Sequence, residues 1–410
     1  MSGQTLSVAR IFTAVTFAAL AAGAGFGLSA CGSSGGGDSG PSPAREGTRP
    51  MLYVGGESGI KWYSLKTPEG SLEMKGGLDY SYAATYFAKS ADGKFFYSVL
   101  RTVSEPMAQM AGKPFEGYIA SYSVDQTTGD LREIGRVSSF GDRPTYLSID
   151  KTGKFLICAN NLGHLQGNSI VTFPIGSDGK LGQPVQRLMT GIRAHQVRIS
   201  ANNKYVYVPN IDSDFISQFA FDENTGGLTP LDPATAADDP TGAVKQAFGA
   251  TLAGARHLDF HPNGKWVYLS NEYASTVVTY KVNDDGTLTQ MAPAVSGLPS
   301  DFMLRKWQSE IRVTPSGKWV YAGERVHESI AIFAVDQMTG VPKLMGNVPT
   351  MGKTPRHFTI DPSGKWLVAG NQESSSLVVF KINDADGSLE MTSGPIPQPT
   401  PYVHLFVMLP

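Results

Sequence analysis

Two short turn sequences recur along the chain and constrain its fold more than any other feature. The first ends in Gly-Lys, and each copy is followed by an aromatic-rich segment that is typical of a buried strand. It occurs six times, once with Asn203 in place of glycine: ADGK (91–94), KTGK (151–154), ANNK (201–204), PNGK (262–265), PSGK (315–318) and PSGK (362–365). The spacing of roughly fifty residues is the period expected of propeller blades or similar arrays.

The second turn closes the next hairpin of each unit and occurs seven times. Its copies are PEGSL (68–72), TTGDL (127–131), SDGKL (177–181), NTGGL (224–228), DDGTL (284–288), MTGVP (338–342) and ADGSL (385–389). The two chain ends explain the extra copy, because MLYVGG (51–56) resembles a second strand and YVHLFVML (402–409) resembles a first strand. Pairing them would complete a seventh unit and leave no exposed sheet edge.

The repeats therefore predict an all-β fold, a seven-bladed β-propeller of four-stranded antiparallel blades whose ring is closed by pairing of the N- and C-terminal strands. An open β-solenoid is the competing architecture. Its repeats are shorter and would not leave complementary half-units at the two ends.

The N-terminal segment has the features of an export signal. Arg10 precedes an apolar run (11–27), and LSAC (28–31) resembles a lipobox, the processing site of bacterial lipoproteins. An ordinary secretory peptide with a chance cysteine, or a short membrane span, is the alternative. The Gly/Ser/Pro-rich segment that follows predicts a flexible tether. The chain thus divides into three predicted parts: a lipoprotein signal peptide (1–30), lipidated Cys31 with its tether (31–49), and the propeller (50–410).

Charge and cysteine usage limit the partners. The chain has 34 Lys and Arg against 36 Asp and Glu, with no basic run, which argues against nucleic acid as a partner. Cys158 has no disulfide partner once Cys31 is lipidated, so we expect a buried, inert thiol. We expect a monomer that is lipid-anchored on the extracytoplasmic side of the cell envelope (outer membrane or periplasmic face in a Gram-negative cell). Two long links, 102–117 and 233–255, are either lids or plain surface excursions.

Alignment of the repeats on the glycine of the first turn reveals two sets of diverged residues. Eight residues before it lie Thr85, Thr145, His195, Arg256, Ser309 and Arg356; eight residues after it lie Arg101, Asn161, Ile211, Glu272, Arg325 and Gln372. The start of a first strand lies level with the end of a second strand, and first strands are innermost in a propeller. Both sets are therefore predicted to ring one mouth of the central channel.

We take His195, Arg256, Glu272 and Arg325 as the candidate catalytic set, with Arg101, Glu310 and Arg356 as candidate substrate-binding residues. Each has a plainer interpretation: a single histidine is more often structural, and Arg101 or Arg356 could form rim salt bridges of little energetic value. Two neighbouring histidines, 257 and 357, are expected to point away from the channel and to hydrogen-bond between blades.

The segments that carry this set resemble a known family. AHQVRIS, ARHLDFHPNGKWVYLSNE, EIRVTPSGKWVYAGER and PRHFTIDPSGKWLVAGNQ are similar to the β-propeller lactonases, which include propeller-type 6-phosphogluconolactonases and carboxy-muconate lactonizing enzymes. The resemblance covers residues 51–410 and implies a lactonase that needs no metal or cofactor, with His195, Arg256, Glu272 and Arg325 as its site. The turn SANNK and the segment VPNIDSD depart from the family pattern, which leaves the choice of substrate open.

The chemistry of these residue types suits lactone hydrolysis. Arg256 or Arg325 could stabilise a developing oxyanion while the other holds a substrate carboxylate or phosphate. His195 suits a general base, and Glu272 could orient an arginine or share the proton transfer. We predict a hydrolase acting on a sugar-derived or carboxylated lactone. Export argues against 6-phosphogluconolactone itself, a cytosolic metabolite. The alternative is a non-catalytic envelope propeller that binds a ligand or a protein.

The lipobox generates a prediction of its own. We expect the mature protein to begin at a diacylglyceryl Cys31, because processing would cleave directly before that cysteine. Mass spectrometry of the native N-terminal peptide should show the lipid-modified cysteine, and Cys31→Ser should stay unprocessed or become soluble. An unmodified mature N-terminus at any other residue would contradict the lipoprotein assignment.

Overall fold

The computed structural model describes residues 47–102, 117–238 and 251–410. The predicted signal peptide, Cys31, nearly all of the tether and most of both long links lie outside these described residues. Within them, no helix is long and apolar enough to cross a membrane. Seven antiparallel sheets, each built on four strands, follow one another around a closed ring, so the predicted seven-bladed β-propeller is confirmed.

The first strands of the blades contact one another around the channel, and each fourth strand lies outermost. Blade 1 is built from both ends of the described chain. The strands are, in blade 1, β1 (Arg49–Gly56), β2 (Gly59–Lys66), β3 (Ser71–Asp79) and the last strand, β29 (Val403–Leu409); in blade 2, β4 (Tyr82–Lys89), β5 (Phe95–Thr102), β6 (Gly117–Val124) and β7 (Leu131–Ser138); and in blade 3, β8 (Pro144–Ile149), β9 (Phe155–Asn160), β10 (Ile170–Pro174) and β11 (Gln186–Leu188).

Blades 4 to 7 have the same order, with one extra short strand in blade 5. The strands are, in blade 4, β12 (Arg198–Ile199), β13 (Tyr205–Asn210), β14 (Phe215–Phe221) and β15 (Leu228–Ala237); in blade 5, β16 (Ala255–Phe260), β17 (Trp266–Asn271), β18 (Thr276–Val282), β19 (Leu288–Gln290) and β20 (Val295–Ser296); in blade 6, β21 (Gln308–Val313), β22 (Trp319–Glu324), β23 (Ser329–Val335) and β24 (Pro342–Pro349); and in blade 7, β25 (Pro355–Ile360), β26 (Trp366–Asn371), β27 (Ser376–Ile382) and β28 (Leu389–Pro397). Short 3₁₀ helices cover Gly163–Leu165 and Ile211–Ser213.

The ring closes as the sequence predicts. Strand β29 pairs antiparallel with β1 in a register that runs from Arg49 opposite Leu409 to Gly55 opposite Val403. Blade 1 therefore joins residues that are more than 340 positions apart in the chain. Its innermost strand is buried at Val403, Phe406, Val407 and Leu409.

The two recurring turns are explained by how neighbouring blades pack. The glycine of each second turn has φ between 67° and 85°, a left-handed conformation that glycine adopts without strain. In six blades its bare Cα faces the aromatic ring that follows the lysine of the first turn in the preceding blade, where an added Cβ would overlap the ring. The pairs are Phe95–Gly179, Phe155–Gly226, Tyr205–Gly286, Trp266–Gly340, Trp319–Gly387 and Trp366–Gly70.

A buried tyrosine also joins neighbouring blades at five of the seven junctions, four of which have one of these ring–glycine contacts. Each tyrosine hydroxyl donates a hydrogen bond of 2.6–3.0 Å to the carbonyl oxygen of a second-turn glycine in the next blade: Tyr53 to Gly129, Tyr97 to Gly179, Tyr207 to Gly286, Tyr268 to Gly340 and Tyr321 to Gly387. Burial raises the pKa of these phenols, so they stay protonated and can donate. Both turn motifs thus serve the joints between blades.

Two single-residue predictions are also confirmed. Asn203 takes φ of 62°, as the glycines of the other first turns do, and its amide hydrogen-bonds to Asp150 and Glu223. Cys158 is fully buried in β9, and burial raises the pKa of its thiol. A thiol in that state is inert.

Removal of residues 403–410 should disrupt the ring. The deletion strips four buried apolar side chains, each contributing about 1.5–3 kcal/mol, and leaves β1 with an unpaired edge. Because this loss approaches the whole stability of a typical domain, we expect aggregation or a far lower melting temperature. Deletion of the exposed Pro410 alone is the control. Calorimetry that shows full-length stability without β29 would refute the closure argument.

Candidate active site

One mouth of the channel opens into a small cavity of about 20 Å³ that is lined by polar and cationic side chains. The two diverged sets found by aligning the repeats supply Thr85, Arg101, Thr145, His195, Arg256 and Arg356, which the sequence predicted would share one mouth. Four further side chains complete the lining: Tyr86, His257, His357 and Tyr402. The aligned positions therefore do converge in space.

The presence of His257 and His357 in the lining corrects the expectation that they point away from the channel. Both strands carry a β-bulge, which shifts the register between Ala255 and His257 and between Pro355 and His357. A bulge places two residues opposite one and re-aims the side chains that follow. Arg256 and His257 consequently both face the cavity, although strict strand alternation would separate them. Their hydrogen bonds do join blades, as expected.

Five blades share this bulge, and beside it lies a second set of residues one position after the first set. Its members are Tyr86, Tyr146, His257, Glu310 and His357, and Gln196 has the corresponding place in blade 4. A signal in the sequence could have revealed these residues. Seven residues before the turn glycine, all six first-turn repeats carry a tyrosine, glutamine, histidine or glutamate. Blade 1 lacks that turn because it is split between the chain ends, so alignment missed Tyr402 and His404 as well.

Arg256 is held rigidly at the edge of the cavity. Its Nη1 donates a 2.6 Å hydrogen bond to the carbonyl oxygen of Ser309, and its Nε lies 2.8 Å from Oε2 of Glu272. Arg325 approaches the same carboxylate at 3.7 Å and stacks on the ring of Trp307, 4.4 Å from its centroid. The indole N–H of Trp307 donates to the other Glu272 oxygen at 3.1 Å. Glu272 thus bridges two arginines and a tryptophan.

These charges are taken almost entirely out of water. Arg256, Glu272 and Arg325 are 2%, 6% and 3% exposed. Burial alone would raise the pKa of Glu272, but Arg325 and Arg256 hold it at about 2. Glu272 is therefore ionised at any working pH and cannot act as a proton donor. Neither Glu272 nor Arg325 lines the cavity, but Arg256, which does, is paired directly with Glu272.

His195 lies beside these cations and is 8% exposed. Burial lowers its pKa well below 6.5, and Arg256, His257, Arg356 and Arg193 lower it further. Its Nδ1 lies 2.9 Å from Nε2 of His257. The imidazole is consequently neutral at physiological pH, the state that can accept a proton.

The three candidate substrate-binding residues are placed differently. Arg101 and Arg356 line the cavity, with their guanidinium carbons 6.0 Å and 5.3 Å from the ring centroid of Tyr402. Glu310 is fully buried beneath the cavity and does not line it. Its carboxylate instead contacts His257 at 3.1 Å and His357 at 3.0 Å. Glu310 therefore does not reach the cavity itself, and its expected role in substrate binding stays a prediction.

Fold and site together define a propeller with a cationic, histidine-containing cavity at one channel mouth. A family profile described as lactonase, seven-bladed beta-propeller, matches residues 48–406. The chain belongs to this lactonase family.

Individual relatives agree with that placement. The 6-phosphogluconolactonase of Formosa agariphila is 29% identical over 317 residues, which are 74% of this chain and 82% of that protein. The 6-phosphogluconolactonase of Erwinia tasmaniensis is 32% identical over 242 residues, 59% of this chain and 67% of that protein. The structure of a periplasmic gluconolactonase from Pseudomonas aeruginosa superposes with a TM-score of 0.77 at 23% identity, covering 88% of this chain and 100% of the other, and shows the shared fold.

The buried bridge at Glu272 leads to a stability prediction. Glu272→Gln removes the negative charge and leaves Arg256 and Arg325 facing each other in a dry environment, which should lower the free energy of unfolding by about 3 kcal/mol. Denaturant unfolding measures the change, with the exposed Glu390→Gln as the matched control, expected to stay within about 0.5 kcal/mol of the unsubstituted protein. Equal stabilities of the two variants would show that the bridge is not structural.

Proposed function

We propose that this protein hydrolyses the ester of an anionic lactone, either sugar-derived or carboxylated, in the cavity at the channel mouth. The observation that carries the proposal is a neutral histidine, His195, beside a rigidly held arginine, Arg256, in the same cavity. Membership of the lactonase family supports the reaction type. The four-residue set predicted from the sequence supplies the groups for it.

The reaction would use His195 twice. As general base, His195 takes a proton from water while the water oxygen bonds to the lactone carbonyl carbon. The tetrahedral intermediate then collapses, the ring C–O bond breaks, and the imidazolium returns the proton to the departing ring oxygen. The product is the open-chain hydroxy acid, and no proton, electron or co-reactant is left over.

Arg256 would stabilise the negative charge that develops on the carbonyl oxygen. Its Nη1 and Nε are fixed by Ser309 and Glu272, so little reorganisation is needed during the reaction. This arrangement favours the first of the two roles open to Glu272, that of orienting an arginine. Because arginine supplies the positive charge, we propose that the reaction needs no metal ion, and a chelator should leave the rate unchanged.

The remaining cations favour an anionic substrate. Arg101 and Arg356 line the cavity with Arg256, and a planar guanidinium can bind a carboxylate or phosphate through two hydrogen bonds. We therefore propose that Arg101 and Arg356 bind the anionic group of the substrate.

We also propose that the enzyme works outside the cytoplasm as a lipid-anchored monomer. The lipobox-like sequence ending at Cys31 and the polar tether that follows it support this location. A substrate of the cell envelope or the medium fits that location better than a cytosolic sugar phosphate does.

The pH dependence of hydrolysis tests the role of His195. Burial and the nearby arginines depress the pKa of His195, and the imidazole is neutral, and so able to act as a base, at any pH above that pKa. We therefore expect kcat/KM to rise with pH only well below pH 6.5 and to be independent of pH from 6.5 upward. A bound anionic substrate offsets the arginines, so the corresponding rise in kcat should lie at higher pH than that in kcat/KM. A kcat/KM limb centred at or above 6.5 would contradict this assignment.

A lactone panel with matched histidine variants supplies the control. His195→Gln should reduce kcat by about 10²–10⁴-fold on any lactone that is hydrolysed. His261→Gln is the comparison, because His261 is also buried but contacts the Gly317 carbonyl, in the first turn of blade 6. Full activity of His195→Gln would place the base elsewhere. Hydrolysis of no lactone in the panel, combined with tight binding of one, would favour the non-catalytic envelope propeller instead.

A further inference from the structure

A line of buried titratable side chains runs from the cavity across the channel. His195 contacts His257, His257 contacts Glu310, and Glu310 contacts His357 on its other side. His357 in turn lies 3.3 Å from His404, joining blades 4, 5, 6, 7 and 1. The lactonase mechanism as proposed above uses only the first member of this line.

Glu310 determines which nitrogen of His257 carries a proton. Burial would raise the pKa of Glu310, but Arg312, 3.7 Å away, and the hydrogen bond from His257 hold it well below its usual range. An ionised carboxylate can only accept hydrogen bonds. At 3.1 Å from Oε1, Nδ1 of His257 must therefore be the protonated nitrogen.

His257 in turn determines which nitrogen of His195 carries a proton. Burial lowers the pKa of His257 to about 3, so this imidazole is neutral and its Nε2 has a lone pair. That Nε2 lies 2.9 Å from Nδ1 of His195 and can only accept. Nδ1 of His195 must be the donor. The lone pair of the neutral His195 ring is then on Nε2.

We propose that His257 and Glu310 are positioning residues that hold His195 in its Nδ1–H form, so that Nε2 is the atom that takes the proton from water. Which ring nitrogen of a histidine is protonated depends on the hydrogen bond made by the other nitrogen. The inference rests on the proposed function for the role of His195 as base. It adds the residues that prepare that base before substrate binds.

The arrangement also explains how Glu310 is tolerated without touching the cavity. Its charge is fully buried, where a lone carboxylate would be costly. Contacts to His257, His357 and the backbone N–H of Ile311 compensate that cost. The imidazolium formed on His195 during the reaction gains a hydrogen-bonded partner, His257, that is itself anchored to the carboxylate. Positioning and charge stabilisation come from one line of contacts.

Nitrogen NMR of the full-length protein labelled with ¹⁵N-histidine tests the proposal directly. The signals of His195 are assigned by their loss in His195→Gln, and they should show a protonated Nδ1 and an unprotonated Nε2 at pH 7. His257→Leu removes the acceptor and should lose this preference, together with a fall in kcat of at least about a hundredfold and little change in KM. His257→Gln should restore both, since its amide can donate to Glu310 and accept from His195.

His404→Leu is the matched control, because His404 is as buried as His257, lies in the same line of contacts and makes no contact with His195. It should keep the Nδ1–H form of His195. An Nε2–H form of His195 in the unsubstituted protein overturns the proposal, even if His257→Leu fails to fold. An unchanged Nδ1–H form in folded His257→Leu overturns it equally. The NMR measurement needs no substrate, so its result is independent of the lactone assay. A failure of the proposed function is therefore distinguishable from a failure of the positioning role.

Discussion

The fold depends on one contact that is repeated around the ring, in which an aromatic side chain of one blade lies on the bare turn glycine of the next. A four-stranded sheet buries too little surface by itself, so each blade needs both neighbours. Only glycine accepts the left-handed backbone of the turn and leaves room for the ring, as Trp266 on Gly340 illustrates. A tyrosine hydroxyl bound to the same glycine carbonyl fixes the relative position of the two blades. Both turn motifs therefore recur because the joints need them.

Rigid joints allow the centre of the ring to carry groups that would otherwise destabilise it. Arg256, Glu272 and Arg325 are buried as a cluster, and their desolvation is offset by mutual charge pairing, by a hydrogen bond from Arg256 to a backbone carbonyl and by one from an indole N–H to Glu272. Inside this dry mouth, charges act on one another more strongly than in water. The depressed pKa of His195 is a direct result, and it keeps the ring neutral and available as a base.

The sequence predicted only part of the candidate site, because two local features of the fold, a β-bulge and the split of blade 1, do not show in the repeat alignment. Aligning the turns predicts that His195, Arg256 and Arg356 lie at the same cavity, and they do. In a hairpin, residues at equal distance from the turn lie at the same level along the channel. The same alignment cannot show a β-bulge, because a bulge is a change in the pairing register between two strands. The bulge turns His257 toward the cavity and seats Glu310 beneath it. Blade 1, made of both chain ends, offered no turn from which its residues could be aligned.

The sequence by itself determined the number of blades, their four-stranded form and the pairing of the two ends, because turn glycines and strand patterning are local and repeat with the fold. It also determined which positions diverged among the repeats. The tertiary structure alone decided that Glu272, itself outside the cavity, bridges Arg256 and Arg325. It also decided that Glu310 lies between two histidines. The Arg256–Glu272 pair lies within blade 5, but the other contacts join different blades and form only once neighbouring blades pack side by side in the closed ring.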